Sequence, residues 1–349
     1  MTIRIPAILI LMTMNLLTAN EIPPDSSDLH YSDYAHATIT TERARFDRVI
    51  EAGSGFQFDN PGARIRFRTD ATSVVARLFY NGMHQRMDAV NGIGVFRVDG
   101  RNCGSFLHVK PRPGKIAVKI LAEEKTAERD CEIVLPYGDS VDFEGLTVND
   151  GARFYPMKPR PGIRYVAYGD SITHGFRSSD VTKGYAFLMA EQKGWELVNM
   201  GFGSRRATAA DGKAIAALPA DVITILIGFN DHYGNKPLDQ YEADMTGLLR
   251  NIRAGQPKTP IYVITPLWST EPFPTHLGLH LEQYRAIVRK VVQTENDPNL
   301  HGIEGPDLIP HDKKFFTDGV HPNDSGFAVL AENLGPRVGI AEKEKPSNY

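Results

Sequence analysis

The apolar residues change period near residue 160, and that change restricts the folds open to this chain. From about residue 41 to 155 they alternate, as in Ile65 and Phe67, Ile93 and Val95, then Ile116, Val118 and Ile120. Period two over short runs marks strands with one covered face. Val98-Asp99-Gly100-Arg101 supplies a hairpin turn, and Pro111, Pro113 and Gly114 punctuate the next connection. Strands of this kind without an amphipathic helix among them predict a small all-β sandwich, jelly-roll-like, over 41–155. Met157-Lys158-Pro159-Arg160-Pro161-Gly162 reads as a stiff linker, placed at 156–162.

Beyond the linker the apolar runs become near-continuous: Ile163 to Tyr168, Trp195 to Met200, Val222 to Ile227 and Ile261 to Ile264. Strands covered on both faces read this way. Between them lie helical stripes. Asp239 can cap a helix carrying Tyr241, Met245, Leu248 and Ile252, with Gly255 and Pro257 at its end, and Leu277, Leu281, Tyr284, Val288 and Val291 form another stripe. Alternating strands and helices predict an α/β fold, a three-layer α/β/α domain with a parallel sheet, over 163–340. Residues 341–349 read as a flexible tail.

A chain of 349 residues has room for both domains, and its 42% hydrophobic and 23% charged content excludes a disordered or fibrous protein. The net charge of −3 comes without a basic block, which argues against a nucleic-acid partner. Residues 1–19 carry Arg4, an apolar stretch from Ile5 to Leu17, then Thr18 and Ala19, the pattern of a secretory signal peptide cleaved after Ala19. Export to a periplasmic or extracellular location is therefore expected, with no stable membrane insertion after signal removal. No later segment has the roughly 18 consecutive apolar residues of a membrane helix. Cys103 and Cys131 either pair between neighbouring strands or remain two buried thiols; without nearby histidine spacing they make no structural zinc site.

Four turns fall where the parallel sheet exposes its loops: Gly169-Asp170-Ser171, Gly201-Phe202-Gly203-Ser204, Gly228-Phe229-Asn230-Asp231, and Asp318-Gly319-Val320-His321-Pro322. Open α/β sheets bind ligands at this edge. Acyl transfer needs a nucleophile, a base, a group that orients the base, and donors for the oxyanion. Ser171 can supply the hydroxyl, His321 can accept its proton, and Asp318, three residues earlier, can reach the histidine Nδ1. The backbone N–H of Ser171, a backbone N–H at Gly203 or Ser204, and the Asn230 amide can serve as donors. Neither a metal nor a cofactor is called for. Asp170 and Asp231 read as carboxylates that hold their turns.

The segments GDSITHG, NMGFGS, GFND and DGVHP resemble the four sequence blocks of the SGNH, or GDSL-type, hydrolase superfamily of esterases, lipases, thioesterases and carbohydrate acetylesterases. That resemblance implies Ser171 as nucleophile, Asn230 as oxyanion donor, His321 as base and Asp318 as its partner. The second block usually has glycine where Ser204 stands, so Gly203 and Ser204 are both candidates for the backbone donor. A preceding sandwich is similar to the two-domain carbohydrate acetylesterases. This implies a serine esterase that removes acetyl groups from carbohydrate, its partner an acylated small molecule or polysaccharide. His174 is a candidate lining residue, and Trp268 and Phe273 are candidates for stacking on a sugar ring.

Three other functions compete. A lipase or thioesterase would use the same residues on longer acyl chains. A non-catalytic carbohydrate-binding protein would use the sandwich alone, although Ser171, Asp318 and His321 are all present. A nucleotide-binding reading of Val198 to Gly203 fails at Arg206, which occupies the place of the third glycine.

Overall fold

A computed structural model of the protein describes residues 19–47, 61–83, 92–107, 113–158, 162–270 and 274–340. The residues before Ala19 that are expected to form a signal peptide, Pro111, residues 159–161 of the expected linker, Phe273 and residues 341–349 lie outside them.

Two antiparallel sheets form the N-terminal sandwich. One has the order β3 (His36–Ile39), β4 (Ala44–Asp47), β11 (Asp139–Asn149), β6 (Ser73–Met83), β9 (Gly114–Ala122), with β1 (Ala19–Ile22) also paired to β11. The other has the order β12 (Phe154–Tyr155), β5 (Arg64–Thr69), β10 (Arg129–Val134), β7 (Gly94–Val98), β8 (Arg101–Phe106), with β2 (His30–Ser32) on β5. Ile65 and Phe67 meet Leu78, Phe143 and Leu146 in the core between the sheets, as their alternation requires. The turn at Asp99 and Gly100 has φ of 50° and 77°, the left-handed pair that matches strand twist in a two-residue hairpin. Strands β1 to β3 extend the sandwich to before residue 41, outside the range predicted from the sequence, because at three or four residues each is too short to display a period. Cys103 on β8 is exposed and Cys131 on β10 is buried, and both are free. Strand β7 lies between them, so their backbones are about 10 Å apart, beyond disulfide reach.

The C-terminal layer is a five-stranded parallel sheet, ordered β14 (Glu196–Gly201), β13 (Arg164–Gly169), β15 (Val222–Leu226), β16 (Ile261–Ile264), β17 (Leu300–Ile303). Helices α2 (Tyr185–Lys193) and α7 (Asp324–Leu334) cover one face through Tyr185, Met189, Phe327 and Leu330. Helices α3 (Ala209–Ala216), α5 (Leu238–Gly255) and α6 (Leu281–Glu295) cover the other through Ile215, Met245, Leu248, Tyr284 and Val288. Strand β17, with two exposed residues, carries too little apolar sequence to be recognised. Helix α5 begins at Leu238 after Pro237, which places Asp239 in the first turn rather than at the cap. Helix α6 begins at Leu281, where His280 and Gln283 form a capping box; Leu277 stays outside the helix and is 58% exposed.

Sandwich and α/β/α layers share a seam. The Arg64 side chain is fully buried there, its guanidinium 2.7 Å from Glu191 of α2, 3.1 Å from Glu132 of β10 and 3.2 Å from Asp33. Its charge also lies 4.4 Å from the centre of the Phe187 ring. Asp33 in turn accepts the Leu197 N–H of β14 at 2.8 Å. No helix among the described residues is long and apolar enough to cross a membrane.

Candidate active site

Strand β13 runs into α1 (Ser171–His174), a single turn closed by Gly175 at φ 97°. Asp170 caps it, its Oδ1 accepting the Ile172 N–H at 3.0 Å, and Ser171 takes the first helical position. The turn is tight enough to demand small residues. A Cβ on Gly169 would fall 2.2 Å from Thr173 Oγ1 and 2.3 Å from the Leu226 carbonyl. A Cβ on Gly201 would fall 2.2 Å from the His174 nitrogen, so this glycine lets α1 seat on β14.

The loop before α7 brings the histidine to the serine. Asp318 Oδ1 accepts the backbone N–H groups of Val320 and His321 at 3.2 and 2.9 Å, which folds the Asp-Gly-Val-His segment on its own carboxylate. Ser269 and Thr270, following β16, donate to the Gly319 carbonyl and anchor the loop from outside. His321 Nε2 then lies 2.8 Å from Ser171 Oγ, and His321 Nδ1 lies 3.0 and 2.9 Å from the two Asp318 oxygens. A nitrogen facing two carboxylate oxygens carries the proton, which leaves Nε2 as acceptor for the serine hydroxyl. Partial burial pushes the Asp318 carboxyl up, but the hydrogen bonds from the His321 ring and backbone outweigh it and hold the group well below the usual carboxylate range.

Asn230 sits on α4 (Phe229–Tyr233), and its Nδ2 donates to the Arg205 carbonyl at 3.2 Å, tying the second and third blocks together. Ser204 has φ 62°, a left-handed conformation that glycine adopts without cost. Beside it Gly203 is half-buried and Ser204 is exposed.

Both other carboxylates of the blocks are buried supports. Burial raises the Asp170 carboxyl to about 6, with the Ile172 N–H and His321 opposing the shift and Asp231 adding to it. Burial also raises Asp231, against its ion pair with Lys236 at 2.6 Å. His174 is only 1% exposed, with its ring edge-on to Tyr137 at 5.7 Å, so it packs in the seam and does not line a substrate site. Seating α1 on β14 is what buries it. Trp268 is half-buried, stacked on His311 at 5.1 Å and edge-on to Phe316 at 5.4 Å. No group of three or more metal-ligating side chains occurs among the described residues.

Three contributors to the site lie outside the candidates drawn from the sequence. Phe176 packs edge-on to His321 at 4.8 Å, and Arg177 bonds Asp318 at 3.3 Å. Asn199 braces α1 by donating to the Thr173 carbonyl at 3.0 Å while accepting the Gly201 N–H at 2.9 Å.

A serine hydroxyl bonded to a carboxylate-backed imidazole, at the carboxyl edge of a doubly covered parallel sheet, is the arrangement of hydrolases that work through an acyl-enzyme. Residues 167–329 match the model of the GDSL-like Lipase/Acylhydrolase family. Among curated proteins, no sequence matches this chain. Solved structures with the same two-part architecture include a salicylyl-acyltransferase from a tetracycline biosynthetic pathway, 20% identical, with TM-score 0.75 over 90% of this chain and 95% of that one. A family two carbohydrate esterase from Cellvibrio japonicus is 14% identical, with TM-score 0.70 over 92% and 97% of the two chains. An acetyl xylan esterase from the rumen bacterium Butyrivibrio proteoclasticus is 13% identical, with TM-score 0.67 over 92% and 97%. At these identities the likeness is one of fold.

Proposed function

We propose that the protein is a serine esterase that removes short acyl groups, chiefly acetyl, from carbohydrate. The observation that carries this reading is the hydrogen-bonded relay from Ser171 through His321 to Asp318. Ser171 Oγ attacks the acyl carbon as His321 Nε2 takes its proton. The resulting oxyanion is met by the Ser171 N–H, which has no acceptor within its own helix, a backbone N–H at Gly203 or Ser204, and the second N–H of the Asn230 amide. Collapse breaks the ester bond, and the imidazolium returns the proton to the leaving alcohol. Water then attacks the acyl-serine by the same route, while Asp318 stays ionised.

The acyl preference is supported by a cavity of about 10 Å³ lined by Ile172, Phe229, Leu267, Trp268 and Val320, of which Ile172, Phe229 and Val320 adjoin Ser171, Asn230 and His321 in the chain. That is room for about one water-sized group. Trp268 bounds the acyl side in this reading, its face already covered by His311. The alcohol preference is supported by an open groove of about 410 Å³ next to Asp318, lined by Arg177, Ser178, Ser179, Thr317, Asn323 and Ser325. The exposed Thr317 and Ser325 hydroxyls on this wall suit a polyhydroxylated alcohol. A polymer substrate also agrees with export through residues 1–19.

Acetate release from acetylated polysaccharides, together with a p-nitrophenyl ester series, tests both halves. Acetyl should be preferred to hexanoyl by at least about 100-fold in kcat/KM, since each methylene beyond the pocket limit costs about 10-fold or more. Equal turnover of hexanoyl esters would make this a long-acyl lipase or thioesterase. Asn230→Ala should lower kcat about 100- to 1000-fold with KM within about threefold, the signature of a donor used in the transition state. An effect confined to KM would place Asn230 in ground-state binding instead.

A further inference from the structure

We infer that Arg177 is a positioning residue for the Asp318–His321 pair, locking the carboxylate against the imidazole and offsetting part of its charge. The inference rests on the serine-esterase reading above. Arg177 Nε donates to Asp318 Oδ2 at 3.3 Å, the same oxygen that lies 2.9 Å from His321 Nδ1. The guanidinium is 4.6 Å from the centre of the Phe176 ring, and that ring meets His321 edge-on at 4.8 Å. Arg177, Phe176, His321 and Asp318 thus close a ring of contacts around the base.

The backbone is held for this purpose. Arg177 has φ 76°, a region sparsely populated by long side chains. Its neighbours fix it there. Ser178 Oγ lies 2.7 and 2.9 Å from the carbonyl oxygens of Gly175 and Asp180, which share its single proton, and Tyr137 donates to the Ser178 carbonyl at 3.0 Å. Ser179 donates its N–H and hydroxyl to Asp324 at 2.7 and 2.6 Å. An ion pair whose two side chains are each 34% exposed adds little to stability. Its consequence lies in the charge that the imidazole feels.

Among the described residues, a few other charged groups face the pair. Asp170 acts on His321 from the turn before α1, and Asp324 at the head of α7 is engaged by Ser179. Lys313 and Lys314 are exposed on the preceding turn, with Lys314 paired to Asp312. Arg177 is the cation bonded to the carboxylate. Without it, the charge of Asp318 acts undiminished on the imidazole and its carboxylate is free to turn, so the acid limb of activity moves and the base is held less well against Ser171.

The test is the pH profile of kcat/KM for p-nitrophenyl acetate in Arg177→Gln and Arg177→Lys. Arg177→Gln should move the acid limb up by about 0.5 pH unit, the size of one screened charge at this separation. It should also lower kcat roughly 5- to 20-fold with KM within about twofold, because the carboxylate is free to turn. Arg177→Lys should return the limb close to that of the parent enzyme. An unmoved limb in folded Arg177→Gln overturns the inference, and a rise confined to KM reassigns Arg177 to substrate binding. Failure of the underlying reading looks different: Ser171→Ala would then remain active, whatever the Arg177 profiles.

Discussion

Ser171→Ala yields a folded protein whose kcat on acetyl esters is lower by at least about 10⁴-fold, and which no longer takes up a fluorophosphonate label. The substitution removes the atom that forms the acyl bond, and nothing nearby replaces it. Its cost to the fold is small because the α1 turn is built by other groups: the Asp170 cap, the Gly175 terminus and the Asn199 brace. The hydroxyl itself bonds His321, which remains held by Asp318. The melting midpoint should therefore correspond to a change below about 1 kcal/mol. Activity within tenfold of the parent in a folded variant would require a different nucleophile.

The second large effect falls on stability. Arg64→Met keeps an unbranched apolar stem but removes the guanidinium, leaving Asp33, Glu132 and Glu191 facing one another in the seam with Arg97 and, on Glu132, Arg66 as the remaining cations among the described residues. Stranding buried carboxylates this way costs about 3–5 kcal/mol, a large part of the roughly 5–15 kcal/mol that holds a protein folded. The pH dependence has a definite sign. Burial pushes Glu191 up, but Arg64 and Arg97 outweigh it and hold the carboxyl at about 2, below its usual 4.5. A depressed carboxylate stabilises the native state above its unfolded pKa and loses that contribution as pH falls through the native one. The deficit of Arg64→Met is therefore full at neutral pH and narrows as pH drops below about 4.5. Urea unfolding at pH 7 and pH 4 measures both, and adding Glu191→Gln should recover part of the loss. A midpoint change worth less than about 1 kcal/mol at pH 7 would mean that the network does not secure the seam.

The sequence by itself determined the two fold classes and the grouping of the blocks. Strand and helix periods, and the turn chemistry of Asp99-Gly100 or Gly169-Asp170-Ser171, depend on neighbours within a few residues, and those are written in order along the chain. Four catalytic-type turns at one sheet edge follow from that order and from the parallel topology. The tertiary structure alone decided the rest. Arg177 and Asp318 are 141 residues apart in sequence, and Asp33 and Leu197 are 164 apart. Gly169 and Gly201 read as ordinary turn residues until α1 is seated against them, and His174 reads as a candidate lining residue until the same packing buries it. Cys103 and Cys131 were separated by the arrival of β7 between their strands. Such contacts follow from close packing of segments remote in the chain. Their identity depends on three-dimensional distances, which no local pattern of residues encodes.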